Sequence, residues 1–535
     1  MTKIHWQVLD EARRVASEGE KEWEQVISIQ ARFSPTVLAK VKAESKIEKF
    51  PFVFMNGYQS WTWSPWMHAR AEIRGVAHIP SFLEKKYAFS SYGDYSFVHY
   101  PKKPGRLHGV SYCAFSHSLN DDQIDLYASL DESDGYTFFS YDANAGILRM
   151  EKDRAKKTDG GEVTLFQLFH AHGKRQEVYQ QWFRAMGFSV KEQPHIYGYS
   201  SWYNRYQHIN EKTIMDDLCG CDALFEKEDL FQIDDGWERK VGDWQADETK
   251  FPGGMRRMAD CIHEHGYTAG LWLAPFAAEK NSRLSQEHSD WFLRNPDGSL
   301  WQAGGNWSGF YGLDIDRKPV QEYVRETFKT VFEQWHFDLV KLDFLYAAAP
   351  FADVDDSRGA KMHRAMELLA DCCKGHAVIG CGVPLALAFG HTAYCRIGCD
   401  VSFRFDDVWY MRMFHRERNS TWHSIMNTIA RFPLDGLAFG NDPDVFFLRD
   451  ENLHLRKEDK LDLARLDALF GHVHLLSDPI QTYTEEKKKI YKEMRALSSA
   501  AVLSYELLDK GIQVTYMLEK KKETMVLFAA HRLWL

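Results

Sequence analysis

Two aspartates, Asp343 and Asp400, stand where a pair of carboxyl groups could do acid and base work. Asp343 closes the apolar segment FDLVKLDFLY (337–346), and Lys341 precedes it by two residues. In a strand that spacing puts both side chains on one face, so the ammonium would hold Asp343 ionised, as a nucleophile requires. Asp400 closes YCRIGCD (394–400) and sits among Cys399, Val401 and Phe403, where partial burial would favour the protonated form that a general acid needs. Two carboxyl groups in different surroundings are the equipment of glycoside hydrolysis, in which one attacks the anomeric carbon and the other protonates the leaving oxygen. Each also has a plainer reading: Lys341 and Asp343 as an inward ion pair, and Asp400 as a helix cap or loop carboxylate.

A second acidic pair, Asp234 and Asp235, follows LFQI (230–233). Buried together they would repel unless donors surround them, and sugar hydroxyls are suitable donors. Alternatively, one caps the next helix and the other is solvated. Trp202, Trp237 and Trp272 end three neighbouring apolar segments in a chain with 17 Trp and 14% aromatic residues. Indoles there would form flat walls against which sugar C–H faces stack, or would simply fill the core. Metal chemistry fits poorly, because His263 and His265 are two apart in a helical segment and His472 and His474 stand outside any HExxH or HxxEH spacing.

The elements that must carry these residues follow from pattern. From about 195, short apolar segments ending in polar or acidic residues alternate with amphipathic stretches of helical length. The segments are HIYGYSSWY, LFQIDDGW, YTAGLWLAPF, FDLVKLDFLY, AVIGCG, YCRIGCD, GLAFGNDP and HLLSDP. Eight βα units in succession predict a (β/α)₈ barrel over residues 191–485, with its site at the carboxyl ends of the strands. No Gly-rich GxGxxG turn supports the doubly wound alternative. Residues 1–190 are rich in short alternating segments such as VISIQARF, KKYAFSSYGDYSFVHY and QIDLYASL, which predict a β-sandwich preceded by a helix in the first two dozen residues. Residues 486–535 predict a small antiparallel β domain. The fold class is therefore α/β, a barrel flanked by two β domains.

Composition narrows the partners. Lys and Arg number 66 against 76 Asp and Glu, a net charge of −10, which lacks the basic footprint of a nucleic-acid binder. MTKIHWQVLDEARR has no apolar run to serve as a secretory signal, and the longest apolar stretch (377–390) is too short and Gly-rich to span a membrane. Nine cysteines without a CxxC pair suit reduced thiols, so the expected compartment is the cytoplasm.

The runs FQIDDGWERKVGDW (231–244), GLWLAPF (270–276), VKLDFLYAAA (340–349), GCGVPL (380–385), RIGCD (396–400) and NDPD (441–444), with NGYQSWTW (56–63), closely resemble the α-galactosidases of glycoside hydrolase family 36. The resemblance covers most of the chain from about 50 to 480 and implies the same three-part architecture and a retaining mechanism. By motif match, Asp343 is the nucleophile and Asp400 the acid/base. Asp234 and Asp235 bind the sugar's 4- and 6-hydroxyls, and Lys341 and Arg396 bind ring hydroxyls. Trp272 belongs to the galactose pocket, Cys381 lies near the 2-hydroxyl, and Trp202 and Trp61 are aromatic walls. The implied substrates are short α-galactosides such as melibiose or raffinose-type sugars, with no metal or organic cofactor. An α-N-acetylgalactosaminidase or a raffinose-synthase-like transglycosylase shares the same residues, and a non-catalytic sugar-binding protein is the more distant alternative. The chain departs from the family at Cys399, where Pro is usual, and at SFRFDD, where Arg404 would pair with Asp406 or Asp407 or meet an anionic aglycone.

Overall fold

A computed structural model describes residues 3–73, 80–98, 103–120, 122–153, 156–189, 193–352 and 356–535. Eight parallel strand positions form the centre: Ile196–Ser200, Leu230–Ile233, Thr268–Leu273, Leu339–Leu342, Ala377–Gly380, Tyr394–Arg396, Gly440–Asp442 and Val473–Leu476. They lie side by side in chain order, and the last pairs with the first. At the other end the sheet finishes on Gly440–Asp442, while Val445–Phe446, a little further along the same segment, pairs with Val473–Leu476. The sheet therefore curls until one chain segment contributes both its ends. The strands are short and buried on both faces, so they read as apolar runs. Helices Glu211–Cys221, Gly254–Glu264, Lys318–Lys329, Arg358–Cys372, Thr421–Arg431 and Lys457–Phe470 alternate with them.

The N-terminal part contains two antiparallel sheets. Ile4, Val8, Val41, Phe139 and Leu148 from one share a buried apolar cluster with Ile27, Ile29, Val53, Phe115 and Phe166 from the other. The helix expected in the first two dozen residues is not there: Lys3–Asp10 and Val15–Glu22 are paired strands. Ile4 and Val8 are four apart, a spacing that fits a helix face but is also twice the strand period. The cross-strand contact of Lys3 with Glu20, 2.5 Å, accounts for charges that suggest a helix surface in the sequence. KKYAFSSYGDYSFVHY is likewise not a strand over its described residues. Ser81–Tyr87 is helical, Ala88 ends the helix with φ +51°, and Phe89–Tyr92 forms a 3₁₀ turn. The last two positions of that run, His99 and Tyr100, lie outside the described residues, as does the expected boundary at 190.

At the C-terminal end the span expected to be all β opens with a helix, Glu485–Leu497, packed on Lys457–Phe470. Three antiparallel strands follow, Ala501–Leu507, Ile512–Leu518 and Lys521–Leu527, one more than the tail pattern suggests.

One side chain ties the N-terminal part to the curled sheet. Arg431, fully buried at the end of helix Thr421–Arg431, donates to Asn56 Oδ1 (3.0 and 3.2 Å), Ser60 O (2.6 Å), Gln59 O (3.3 Å), Ser64 Oγ (3.0 Å) and Ile397 O (2.8 Å). All of these acceptors are neutral, and burial pulls its pKa down to about 10, which still leaves it charged at neutral pH. Asn427 adds a bond each way, from Ser64 N (2.7 Å) and to Thr62 O (3.1 Å). The loop 56–64 is thus fixed against the sheet. Arg431→Leu, which strips several buried acceptors of their donor, should cost about 3 kcal/mol or more and lower the thermal midpoint by several degrees. A midpoint equal to that of the parent protein would contradict this role.

Candidate active site

The acidic residues gather where the parallel strands end. Asp234 and Asp235 follow strand Leu230–Ile233 and are both buried. Gln232 shares the face of Asp234 and donates to its Oδ2 at 2.6 Å, and the Ser200 hydroxyl lies 3.4 Å from the same atom. Asp235 Oδ2 accepts from Gln207 and from the Trp307 indole, each at 2.9 Å. The donors that the adjacent pair requires are therefore protein groups. Neither residue acts as a helix cap. Enclosed Glu238 sits against Asp235, and burial next to that carboxyl pushes the Glu238 pKa well up, so the proton they share rests on Glu238.

Lys341 and Asp343 do lie on one side of strand Leu339–Leu342, but the ammonium turns to Asp234 Oδ2, 3.0 Å away, rather than to Asp343. The plainer reading, a direct Lys341–Asp343 ion pair, is thus not what forms, although the charge of Lys341 still favours the Asp343 carboxylate. The Asp343 carboxylate is instead met by dipoles: the Trp272 indole N–H at 3.2 Å, the Phe344 N–H at 2.8 Å and the Cys381 thiol. Burial raises its pKa above the usual carboxylate range despite those donors and the nearby Lys341, and the charge of Asp400 adds to the rise. Phe344 has φ +54°, unusual for a bulky residue, and this turn aims its amide at Asp343. The glycine of GCG serves the same spot. Gly382 has φ +59°, and a Cβ there would lie 2.9 Å from the Trp61 ring and 3.0 Å from Phe344 N.

Asp400 accepts from Arg396 Nη1 at 2.9 Å. The same buried guanidinium bonds Asp442 at 3.2 Å and Asp444 at 2.7 Å, so carboxylates take up the groups that the family resemblance assigns to ring hydroxyls. Asp444 also accepts from Val401 N at 2.8 Å and from Tyr203, and burial pushes its pKa up to about 7. The Asp400 side chain is 29% exposed, whereas Asp343 is buried.

A cavity of about 480 Å³ joins these groups. Trp61, Trp202, Asp234, Asp235, Trp272, Lys341, Asp343 and Asp400 all border it, and Trp61 comes from the loop 56–64 of the same chain. Cys381 and Arg396 lie just behind it. Cys381 accepts from the Trp61 indole at 3.2 Å. Trp237 is a core residue, fully buried with its indole bonded to Trp272 O at 3.0 Å. Several bordering residues escape sequence reasoning: Phe89, Tyr92, Asn306, Trp307, Phe344, His415 and Glu417. All lie in connections rather than strands, and only the aromatic excess hints at Trp307.

Arg404 does not form the expected pair. It is exposed and makes no ion pair among the described residues, because Asp406 is taken by Arg418 at 3.1 Å and Arg412 at 3.3 Å. A larger concavity, about 1430 Å³, lies on the seven-stranded sheet. Its charges are spent in cross-strand pairs such as Lys40–Glu151 at 2.8 Å and Arg149–Glu44 at 3.2 Å, so the convergent chemistry is at the smaller cavity. Among the described residues no three His, Cys, Asp or Glu side chains cluster as metal ligands. His263 and His265 pair with Asp338 and Asp222, each at 2.8 Å, His472 pairs with Asp435 at 2.7 Å, and His474 meets His195 at 2.9 Å. Among the same residues no helix is long and apolar enough to cross a membrane.

A curled parallel sheet with carboxyl groups at its strand ends defines an α/β fold whose site lies at the carboxyl ends of the strands. Residues 157–366 match the family model for melibiase. The α-galactosidase Mel36A of Lactobacillus acidophilus is 27% identical over 194 residues, 34% of this chain and 25% of that protein. The α-galactosidase AgaA of Geobacillus stearothermophilus is 24% identical over 299 residues, 53% of this chain and 38% of that protein. The matches thus span well under half the length of these curated relatives. The structure of TtGalA, an α-galactosidase from Thermus thermophilus in complex with p-nitrophenyl α-D-galactopyranoside, superposes with a TM-score of 0.74 at 24% identity, covering 95% of this chain and all of that one. In sequence over part of the chain, residues 157–366 included, and in fold along nearly its whole length, the protein is similar to the α-galactosidases of glycoside hydrolase family 36.

The Lys341–Asp234 contact carries a direct consequence. Lys341→Met should destabilise the protein by about 3 kcal/mol, since it leaves a buried carboxylate without its cation. Adding Asp234→Asn should recover part of that loss in a denaturation experiment. Strictly additive losses would contradict the pairing.

Proposed function

We propose that the protein is a retaining, exo-acting α-galactosidase that releases terminal galactose from short α-galactosides by double displacement. The observation that carries this is the unequal placement of two carboxyl groups on one small cavity. Asp343 is enclosed and oriented by three donors, as a nucleophile aimed at one carbon must be. Asp400 is partly open to solvent, as a group that first gives a proton to the leaving oxygen and later takes one from water must be. In the first step the Asp343 carboxylate bonds to the anomeric carbon, the glycosidic bond breaks, and Asp400 protonates the departing oxygen. In the second, Asp400 removes a proton from water, whose oxygen displaces Asp343 and restores both groups.

The substrate roles come from the family resemblance and have local support. Asp235 and Lys341 both border the cavity, consistent with contacts to the 4- or 6-hydroxyl. Trp61, Trp202 and Trp272 supply apolar walls. The 2-hydroxyl is assigned to the neighbourhood of Cys381, where the Trp61 indole already donates to the thiol, so a 2-acetamido group would have to displace it. That supports galactose over N-acetylgalactosamine. A transglycosylase would use the same machinery and differ only in the acceptor.

The same reading treats the curled sheet as a (β/α)₈ barrel, residues 1–190 as a β-sandwich domain and the end of the chain as a small β domain. The helix Glu485–Leu497 extends the barrel beyond the expected 485. A cytoplasmic location belongs to the same proposal, in keeping with nine free cysteines.

Asp343→Gly should lose hydrolysis of every galactoside and regain it with azide or formate, because a small anion can fill the vacated space. Asp400→Ala should instead spare the first step for substrates with good leaving groups, measured as a burst of nitrophenol. Equal behaviour of the two variants, or the reverse order, would overturn the role assignment.

The pH profile gives a second test. Asp343 must be ionised to attack, and the Trp272 indole favours that form. Trp272→Phe removes this donor, raises the Asp343 pKa further, and should move the acidic limb of kcat/KM to higher pH. A limb that stays put or moves to lower pH would contradict the assignment.

A further inference from the structure

Trp307 takes no part in the two chemical steps, yet its side chain touches both halves of the site. Its indole N–H donates to Asp235 Oδ2 at 2.9 Å. Its ring lies 5.9 Å from that of Trp272 and 4.9 Å from that of Phe344, centroid to centroid. Those two residues supply Asp343 with its indole and amide donors, at 3.2 and 2.8 Å. One side chain therefore bonds the carboxylate assigned to the sugar's hydroxyls and packs against the groups that hold the nucleophile.

The backbone is shaped to put it there. Trp307 has φ +52° and ψ +32°, Ser308 has φ +68° and Gly309 has φ +102°, three successive residues with positive φ of which only the glycine adopts it freely. A bulky residue persists in such a conformation where its surroundings fix it on several sides. Here they do. Gly305 donates its N–H to the Tyr92 hydroxyl at 2.8 Å, and that hydroxyl is bonded in turn to Asn306. A Cβ at Gly305 would lie 2.8 Å from Tyr87 O, so the glycine lets the turn seat closely. Gly309 N bonds Asn306 O at 2.8 Å, and its carbonyl accepts from Lys280 N at 3.2 Å. Tyr87 and Tyr92 belong to the N-terminal part of the chain, while Lys280 follows the short strand Ala277–Glu279, and the turn 305–309 is clamped between them.

We propose that Trp307 is a positioning residue for galactoside hydrolysis: its N–H aims the Asp235 carboxylate at the sugar while its ring braces Trp272 and Phe344, so that seating the galactose and orienting Asp343 depend on one side chain. The two duties use different parts of it. Gln207 also donates to Asp235 Oδ2 at 2.9 Å, so two fixed donors direct that oxygen. Burial raises the Asp235 pKa, and Glu238, Trp307 and Gln207 oppose the rise, which keeps the group an acceptor. The ring meets Trp272 at 61° and Phe344 at 60°, and Phe310 lies 5.2 Å away, so close packing limits the motion of the two residues that donate to Asp343.

This inference rests on the proposed function, and two substitutions separate the duties. Trp307→Phe keeps a ring between Trp272 and Phe344 but has no N–H. Its KM for nitrophenyl α-D-galactoside should rise about tenfold, the effect of one lost hydrogen bond to a charged group, with a much smaller change in kcat, because binding is weakened equally in ground and transition states. Trp307→Leu removes the brace as well, so kcat should also fall, and the acidic limb of kcat/KM should move to higher pH as the donors to Asp343 lose their fixed placing. A residue that only supports the fold would lower the thermal midpoint without dividing KM from kcat in this way. A wild-type KM in Trp307→Phe, or equal kcat in the two variants, would overturn the positioning role, and the Phe variant decides it alone where the Leu variant does not fold. A wild-type protein that releases galactose from no α-galactoside would overturn the function itself, and this inference with it.

Discussion

Six carboxyl groups, those of Asp234, Asp235, Asp343, Asp400, Asp442 and Asp444, meet at the ends of the parallel strands, with two cations, Lys341 and Arg396, inserted among them. Most of what is distinctive about the site follows from how those cations are shared. Arg396 spans three carboxylates and Lys341 is committed to Asp234, so no cation bonds Asp343 directly. That carboxylate is held by an indole, a backbone amide and a thiol, weaker partners than a cation but fixed in direction. A nucleophile gripped by an ammonium would be ionised but quenched. One met by dipoles stays closer to the neutral range and more reactive. The network is weak evidence for stability, since burying charge costs about as much as pairing returns.

The cavity is built from two parts of the chain. The strand ends supply its floor, and the loop 56–64 supplies Trp61. Ser60 exchanges backbone and hydroxyl bonds with Val383 and Gly382, each at 2.9 Å, while Arg431 grips the same loop from behind and reaches Ile397 O near Asp400. The loop therefore cannot loosen without disturbing the segment that leads from strand Tyr394–Arg396 to Asp400. The left-handed Phe344 and Gly382 lie between these two anchors, which explains why strained or glycine-only backbone occurs there.

Much of this is legible in the sequence, for a physical reason. In a parallel sheet the strands are apolar throughout, so an acidic residue at the end of an apolar run marks the edge at which sites form, and Asp234, Asp235, Asp343 and Asp400 all stand out in that way. Strand period correctly puts Lys341 beside Asp343, but period gives the side of a strand and not the neighbour across the sheet, and that neighbour is Asp234. Trp307, His415 and Glu417 lie on connections without periodicity, where residue type alone does not reveal position. The first strand resembles a helix because a spacing of four fits both, and in a charged ribbon nothing else separates them.

In the proposed reaction Asp343 attacks the sugar while Asp400 moves the proton. Mass spectrometry of the protein after reaction with 2-deoxy-2-fluoro-α-galactosyl fluoride, which slows breakdown of a glycosyl-enzyme, tests it most directly. One fluorogalactosyl group, mapped by peptide sequencing to Asp343, is expected. A label on Asp400, or none on a protein that hydrolyses nitrophenyl galactoside, would contradict it.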